Sequence, residues 1–134
     1  MLTMKTYLKL WKRHVYKLND IVTLCGDFNF PGISWPLHEG SKDTESLFLD
    51  TVDDSNLIQH VKEFTRKRGT DNPSLLDLVL TDDQQVVSKP LITDPLGKSD
   101  HSVVCWQSTF RCYKDENEPT MSQNLIIIRV IIHK

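Results

Sequence analysis

Cysteine is scarce in this chain and odd in number: Cys25, Cys105 and Cys112 are the three, and no two stand in C-x-x-C spacing. That argues against a disulfide framework and against a structural zinc site, and it favours a reducing compartment. Net charge is nearly absent as well. The formal value of -2 gives no bulk attraction to nucleic acid, so any such contact must come from local basic patches. Long apolar runs are missing too. Lys5, Lys9, Lys12, Arg13 and Lys17 interrupt the opening stretch, which lacks the apolar core of a secretory signal. Near the other end, "LIIIRVII" (Leu125 to Ile132) is far too short to span a bilayer as a helix. These absences predict a soluble intracellular protein with no signal peptide and no membrane partner.

What is present fits one ordinary domain. The 134 residues suffice for a real core, and 39% hydrophobic with 25% charged residues is the balance of a globular chain. Met4, Tyr7, Leu8, Trp11, Val15 and Leu18 recur at helical spacing and predict an amphipathic helix with a solvated basic face. A short buried strand is expected over Ile21 to Cys25, then a turn-rich stretch with Pro31, Gly32, Pro36 and Gly40. A second helix is expected from about Asp43 or Thr44, either of which can cap it, to about Asp54. Strands are expected across Leu57 to Phe64, Leu75 to Thr81, Val86 to Ile92 and Ser102 to Phe110. The polar "KDENEP" reads as the end of the domain, so residues 1–112 form the domain and 113–134 a linker and apolar tail outside it. The tail is aggregation-prone and either pairs as an edge strand or does not belong to the domain.

Three stretches carry chemistry. In "LLDLVLT" alternate residues share a face, so Asp77 falls in an apolar row with Leu75 and Val79. An unpaired carboxylate there would be costly, and a histidine or a metal is its natural partner. In "GKSDHSVV", Asp100 and His101 sit between a glycine turn and an apolar strand, where an imidazole can act as a base or a charged donor. In "GDFN", Asp27 and Asn29 at i and i+2 are expected on one face of an extended segment, with Phe28 turned into the core. A carboxylate beside an amide suits phosphoryl chemistry: one holds a water or a metal, the other donates to a phosphate oxygen.

Together and in this order, "CGDFNFPGISW", "TRKRGTDNPSLLDLVLTD" and "PLGKSDHSVV" resemble the C-terminal half of the endonuclease/exonuclease/phosphatase family, which includes apurinic endonucleases. The wording is most similar to the endonuclease domains of non-LTR (LINE-type) retrotransposons. The resemblance covers roughly Asn19 to Phe110. It implies an α/β (α+β) fold, namely half of a four-layer α/β/β/α sandwich with a mostly antiparallel sheet and two helices. It also implies magnesium-dependent hydrolysis of phosphodiester bonds in DNA. In that scheme Asp27 orients the attacking water or serves the leaving group, and Asn29 holds the phosphate. His101 contacts the scissile phosphate, Asp77 fixes His101, and Asp100 is a magnesium ligand or lies just behind one. Activity in retrotransposition would place the protein in the nucleus.

The same resemblance implies a missing partner. The family's N-terminal half supplies a strand asparagine, the principal metal-binding glutamate and further phosphate contacts, and no glutamate here precedes Glu39. A truncated domain, weak or inactive alone, is therefore expected. Its bare inner sheet face is expected to be an apolar patch open to self-association. Two alternatives stand beside it: a non-catalytic remnant, and a nucleic-acid-binding fragment using Arg66, Lys67, Arg68 and Lys98.

Overall fold

A computed structural model describes residues 15–18, 21–110 and 123–129. Strand β2 (Ile21–Asp27) and strand β6 (Asp77–Thr81) pair antiparallel at the centre of the first sheet. Strand β1 (Val15–Leu18) flanks β2, and β5 (Ile58–Gln59) flanks β6, giving the order β1-β2-β6-β5. A two-strand hairpin, β3 (Ile33–Ser34) with β4 (Glu39–Gly40), leads into helix α1 (Asp43–Asp54). The second sheet has the order β7-β8-β9, formed by Leu91–Thr93, Val103–Phe110 and Gln123–Arg129. The chain is thus α+β with antiparallel pairing throughout its sheets.

Strand alternation divides the core. Leu24, Leu78 and Leu80 project to one side of the first sheet and pack with Phe28 and with Phe48 and Val52 of α1. Cys25 and Val79 project to the other side and pack with Val61, Val86, Val87, Val104 and Trp106. Each large apolar side chain so buried stabilises the fold by about 1.5–3 kcal/mol. The apolar face expected to be bare is therefore covered at Cys25 and Val79, which are 2% and 1% exposed, because β8 lays Val104 and Trp106 across them.

The helix starts where Glu45 allows it. Its carboxylate accepts from Gly32 N (2.9 Å), Ser41 N (2.9 Å), Ser41 Oγ (2.7 Å) and Lys42 N (3.1 Å). This buried carboxylate ties the hairpin to the first turn, and Lys42, one residue before the expected caps, occupies the capping position. A Cβ on Gly40 would stand 2.6 Å from Ser46 N and 2.8 Å from the Glu45 carbonyl carbon, so the hairpin passes the helix too closely for any side chain there.

Local hydrogen bonds explain where the expected strands shorten. The Gln59 amide donates to Val61 O and accepts from Val61 N, both at 2.5 Å, which diverts those groups from the ladder after Ile58–Gln59. Asp83 accepts from Gln85 N at 2.8 Å and nucleates a 3-10 turn over Gln84–Val86, so the next strand waits until Leu91. The amphipathic helix expected through Leu18 is corrected over its last residues. Val15–Leu18 is a strand whose register, Val15 opposite Leu24 and Leu18 opposite Ile21, fills the free edge of β2; residues 1–14 lie outside the described part. Strand β9 pairs along β8 from Phe110 opposite Gln123 to Val104 opposite Arg129, so these tail residues belong to a sheet although they fall within 113–134. Among the described residues no helix is long and apolar enough to cross a membrane.

Candidate active site

The β2–β6 register sets Asp27 directly opposite Asp77 at the end of the first sheet. Two carboxylates meeting at one strand pair repel, and Asp77 is only 2% exposed. Burial, chiefly, holds its carboxyl above the ordinary value; the hydrogen-bonding neighbours Thr65 and His101 counter this, and the Asp27 charge adds to it. The partner demanded by the sequence is His101, whose Nδ1 lies 2.8 Å from Asp77 Oδ2. An ionised carboxylate only accepts, so Nδ1 is the donor of this bond. Nε2 lies 4.0 Å from Asp27 Oδ2 and 4.0 Å from Asp100 Oδ1, so three carboxylates surround one imidazole. Asp77 Oδ1 makes no hydrogen bond among the described residues.

The segment between Thr65 and Lys67 holds this group together. Thr65 N and Arg66 N both donate to Ser74 O, at 3.0 Å each, which is the two-on-one pattern of a β-bulge. On the other side Lys67 N donates to Asp100 O (3.1 Å) and Ser102 N to Thr65 O (2.7 Å), so one stretch bridges the approach to β6 and the approach to β8. Thr65, fully buried, accepts from Leu76 N (3.1 Å) and Asp77 N (3.0 Å) through its hydroxyl, fixing the backbone that carries Asp77. Ser99 Oγ accepts from His101 N at 3.1 Å. Neither role is legible in the sequence. A threonine between Phe64 and a basic run looks like any surface threonine until the fold buries it.

Arg66 donates from Nε to Asp100 Oδ2 at 3.0 Å. Burial works to raise the Asp100 carboxyl, but the bond and charge of Arg66 outweigh it and the net direction is down. Arg66, expected only as a phosphate contact, is thus also the counter-charge of Asp100. Lys67, Arg68 and Lys98 are exposed around it.

Asn29 departs from expectation. Strand β2 ends at Asp27, and Asn29 takes a left-handed backbone (φ 54°) while its N–H donates to Asp27 Oδ1 at 2.9 Å. The chain turns here, so the two side chains do not share one face of an extended strand; Phe28 does enter the core. The tie between them is the backbone N–H of Asn29, and its exposed side chain stands outside the bonded group.

The donors near His101 Nε2 are carboxylate oxygens, the chemistry magnesium prefers, since that ion takes one or two carboxylates and keeps waters. Among the described residues no three metal-ligating side chains gather as a centre, and Arg66 occupies Asp100 Oδ2. The residues present therefore fit magnesium only as a minor part of its shell, completed by water and phosphate oxygens.

No curated protein and no solved structure matches the chain. A family described as endonuclease-reverse transcriptase matches residues 3–105, a span that takes in Asp27, Asn29, Thr65, Arg66, Asp77, Asp100 and His101. By that match the chain belongs to the endonuclease-reverse transcriptase family and carries an endonuclease domain of the retrotransposon type.

Proposed function

We propose that this domain hydrolyses phosphodiester bonds in DNA, with His101 at the scissile phosphate. The observation that carries the reading is the Asp77–His101 bond of 2.8 Å, with Asp27 and Asp100 each 4.0 Å from the opposite ring nitrogen. Asp77 fixes the ring through Nδ1, which sets Nε2 on the side of Asp27 and Asp100. With a phosphate present, the protonated ring donates to a non-bridging oxygen and offsets the charge that develops there. Asp27, beside it, takes a proton from the water that attacks phosphorus, the P–O bond to the leaving sugar oxygen breaks as that oxygen takes a proton from solvent, and Asn29 donates to the phosphate from the turn. Arg66, Lys67, Arg68 and Lys98 hold the flanking phosphates without reading bases. Asp100 through Oδ1 is the residue that would hold magnesium, which when bound supplies positive charge to the phosphate. A role in retrotransposition would put it to work in the nucleus.

The test is nicking of supercoiled plasmid in magnesium by the wild type, His101→Ala and Asp77→Asn. Loss of roughly 100-fold or more in both variants is expected for a general acid or donor and its orienting group. Equal nicking by all three would end this reading. A binding module without chemistry is the second reading, favoured by the exposed Lys67, Arg68 and Lys98 beside Arg66. Binding without any histidine-dependent nicking would select it.

A further inference from the structure

Phe64 is a large aromatic residue left 62% exposed beside the most tightly held part of the site. Its neighbour Thr65 is fully buried beneath Asp77, and consecutive Cα atoms are about 3.8 Å apart, so Phe64 departs from the rim of the cluster. The backbone there cannot turn the ring inward easily. Thr65 and Arg66 are pinned to Ser74, and Thr65 O accepts from Ser102 N. Basic residues outnumber acids in this segment: Lys62, Lys67 and Arg68 are exposed and Arg66 is half-buried on Asp100, against the exposed acids Glu63 and Asp71. A second exposed apolar residue, Leu96 at 53%, precedes Asp100 in the turn that also carries Lys98, and Lys67 N joins this segment to the first through Asp100 O.

Exposed phenylalanine carries a hydration cost with no structural return, whereas an aromatic face set among cations is what an unstacked nucleobase binds. We propose that Phe64 is a stacking platform for an unpaired base next to the scissile phosphate. The preferred substrate is then DNA that is single-stranded or locally unpaired at that nucleotide, not continuous duplex. This specificity rests on the DNA reading above. The strand's phosphates lie along Lys62, Lys67, Arg68 and Lys98, the base swings onto the ring, and Leu96 closes the apolar rim. Every base has a π face, so the contact reads the unpaired state and not the sequence.

The experiment measures binding by the full chain, in chelator so that no cleavage intervenes. The probes are a continuous duplex, the same duplex with one unpaired 2-aminopurine, and the single strand, compared by fluorescence at low salt. Wild type should bind the unpaired probes more tightly and quench the reporter. Phe64→Ala and Phe64→Leu should each weaken that binding about 5- to 100-fold while leaving duplex binding unchanged, and Phe64→Trp should restore it. Leucine separates stacking from mere apolar contact. Unchanged binding by Phe64→Ala, or full rescue by leucine, overturns the platform and leaves the nuclease reading intact. Absence of any DNA binding by wild type overturns both. If Phe64→Ala instead lowers the sedimenting mass without altering DNA affinity, the ring is a contact between copies and the proposal fails.

Discussion

Thr65→Val isolates one group that the whole site depends on. Valine copies the shape of threonine, so the fully buried side chain leaves no cavity, and only the hydroxyl is lost. That hydroxyl accepts from Leu76 N at 3.1 Å and from Asp77 N at 3.0 Å, both in the interior. Each buried N–H left without an acceptor costs about 1–3 kcal/mol, so the pair sums to about 2–6 kcal/mol, and about 3 kcal/mol is a reasonable middle value after local relaxation. With a urea dependence of about 1.5 kcal/mol per molar for a domain of this size, the unfolding midpoint should fall by about 2 M. Thr65→Ser is the informative companion. It removes one methyl, worth about 1 kcal/mol, but keeps the acceptor. Serine should therefore be the milder substitution, although it changes volume and valine does not. A valine variant within about 0.5 kcal/mol of wild type, or one more stable than the serine variant, would refute the argument that this hydroxyl anchors the Asp77 backbone.

Asp77→Asn should lower nicking roughly 100-fold and also change the pH profile of stability. A carboxyl held above its ordinary 3.8 contributes stability below that value and loses it as pH rises through the folded value, so wild type should lose ground to the variant as pH rises above 3.8 in urea titrations. Glu45→Gln cannot accept on both oxygens and should cost about 2–4 kcal/mol of stability. The Ser41 hydroxyl, against the raising effect of burial and aided by the Gly32, Ser41 and Lys42 N–H groups, holds this carboxyl below 4.5. Its contribution is present above that value and lost as pH falls, so the wild type's advantage over Glu45→Gln should shrink in acid unfolding. Arg66→Ala removes the group that lowers Asp100, so the Asp100 carboxyl resonance should titrate at higher pH in the variant; an unmoved titration would show that Arg66 is not its counter-charge.

The burial argument for Asp77 needed nothing but alternation in "LLDLVLT", and the structure supplies the histidine that this argument demanded. The extent of helix α1 was equally legible, since capping side chains near Asp43 are a local signal, although the cap itself proved to be Lys42. Asn29 was not. An i, i+2 pattern assumes that the strand continues, and the Asx turn at Asp27 ends it. Val15–Leu18 was read as helix because its apolar residues fit a helical stripe. Pairing with an open strand edge overrides such a stripe, because the edge of β2 needs backbone partners that only another strand provides.

By itself the sequence determined which residues could do chemistry, since residue type fixes charge, donor capacity and the cost of burial, and strand periodicity fixes which of them face apolar surroundings. Tertiary structure alone decided which of them meet. Asp27 lies beside Asp77 because of strand register, His101 reaches Asp77 because Ser102 N is bonded to Thr65 O beside the approach to β6, and Arg66 meets Asp100 because a bulge at Thr65 bridges the two approaches. Each of those contacts joins residues far apart in the chain, so no local propensity encodes it; it is set by the one packing that buries the apolar faces and pairs the backbone groups.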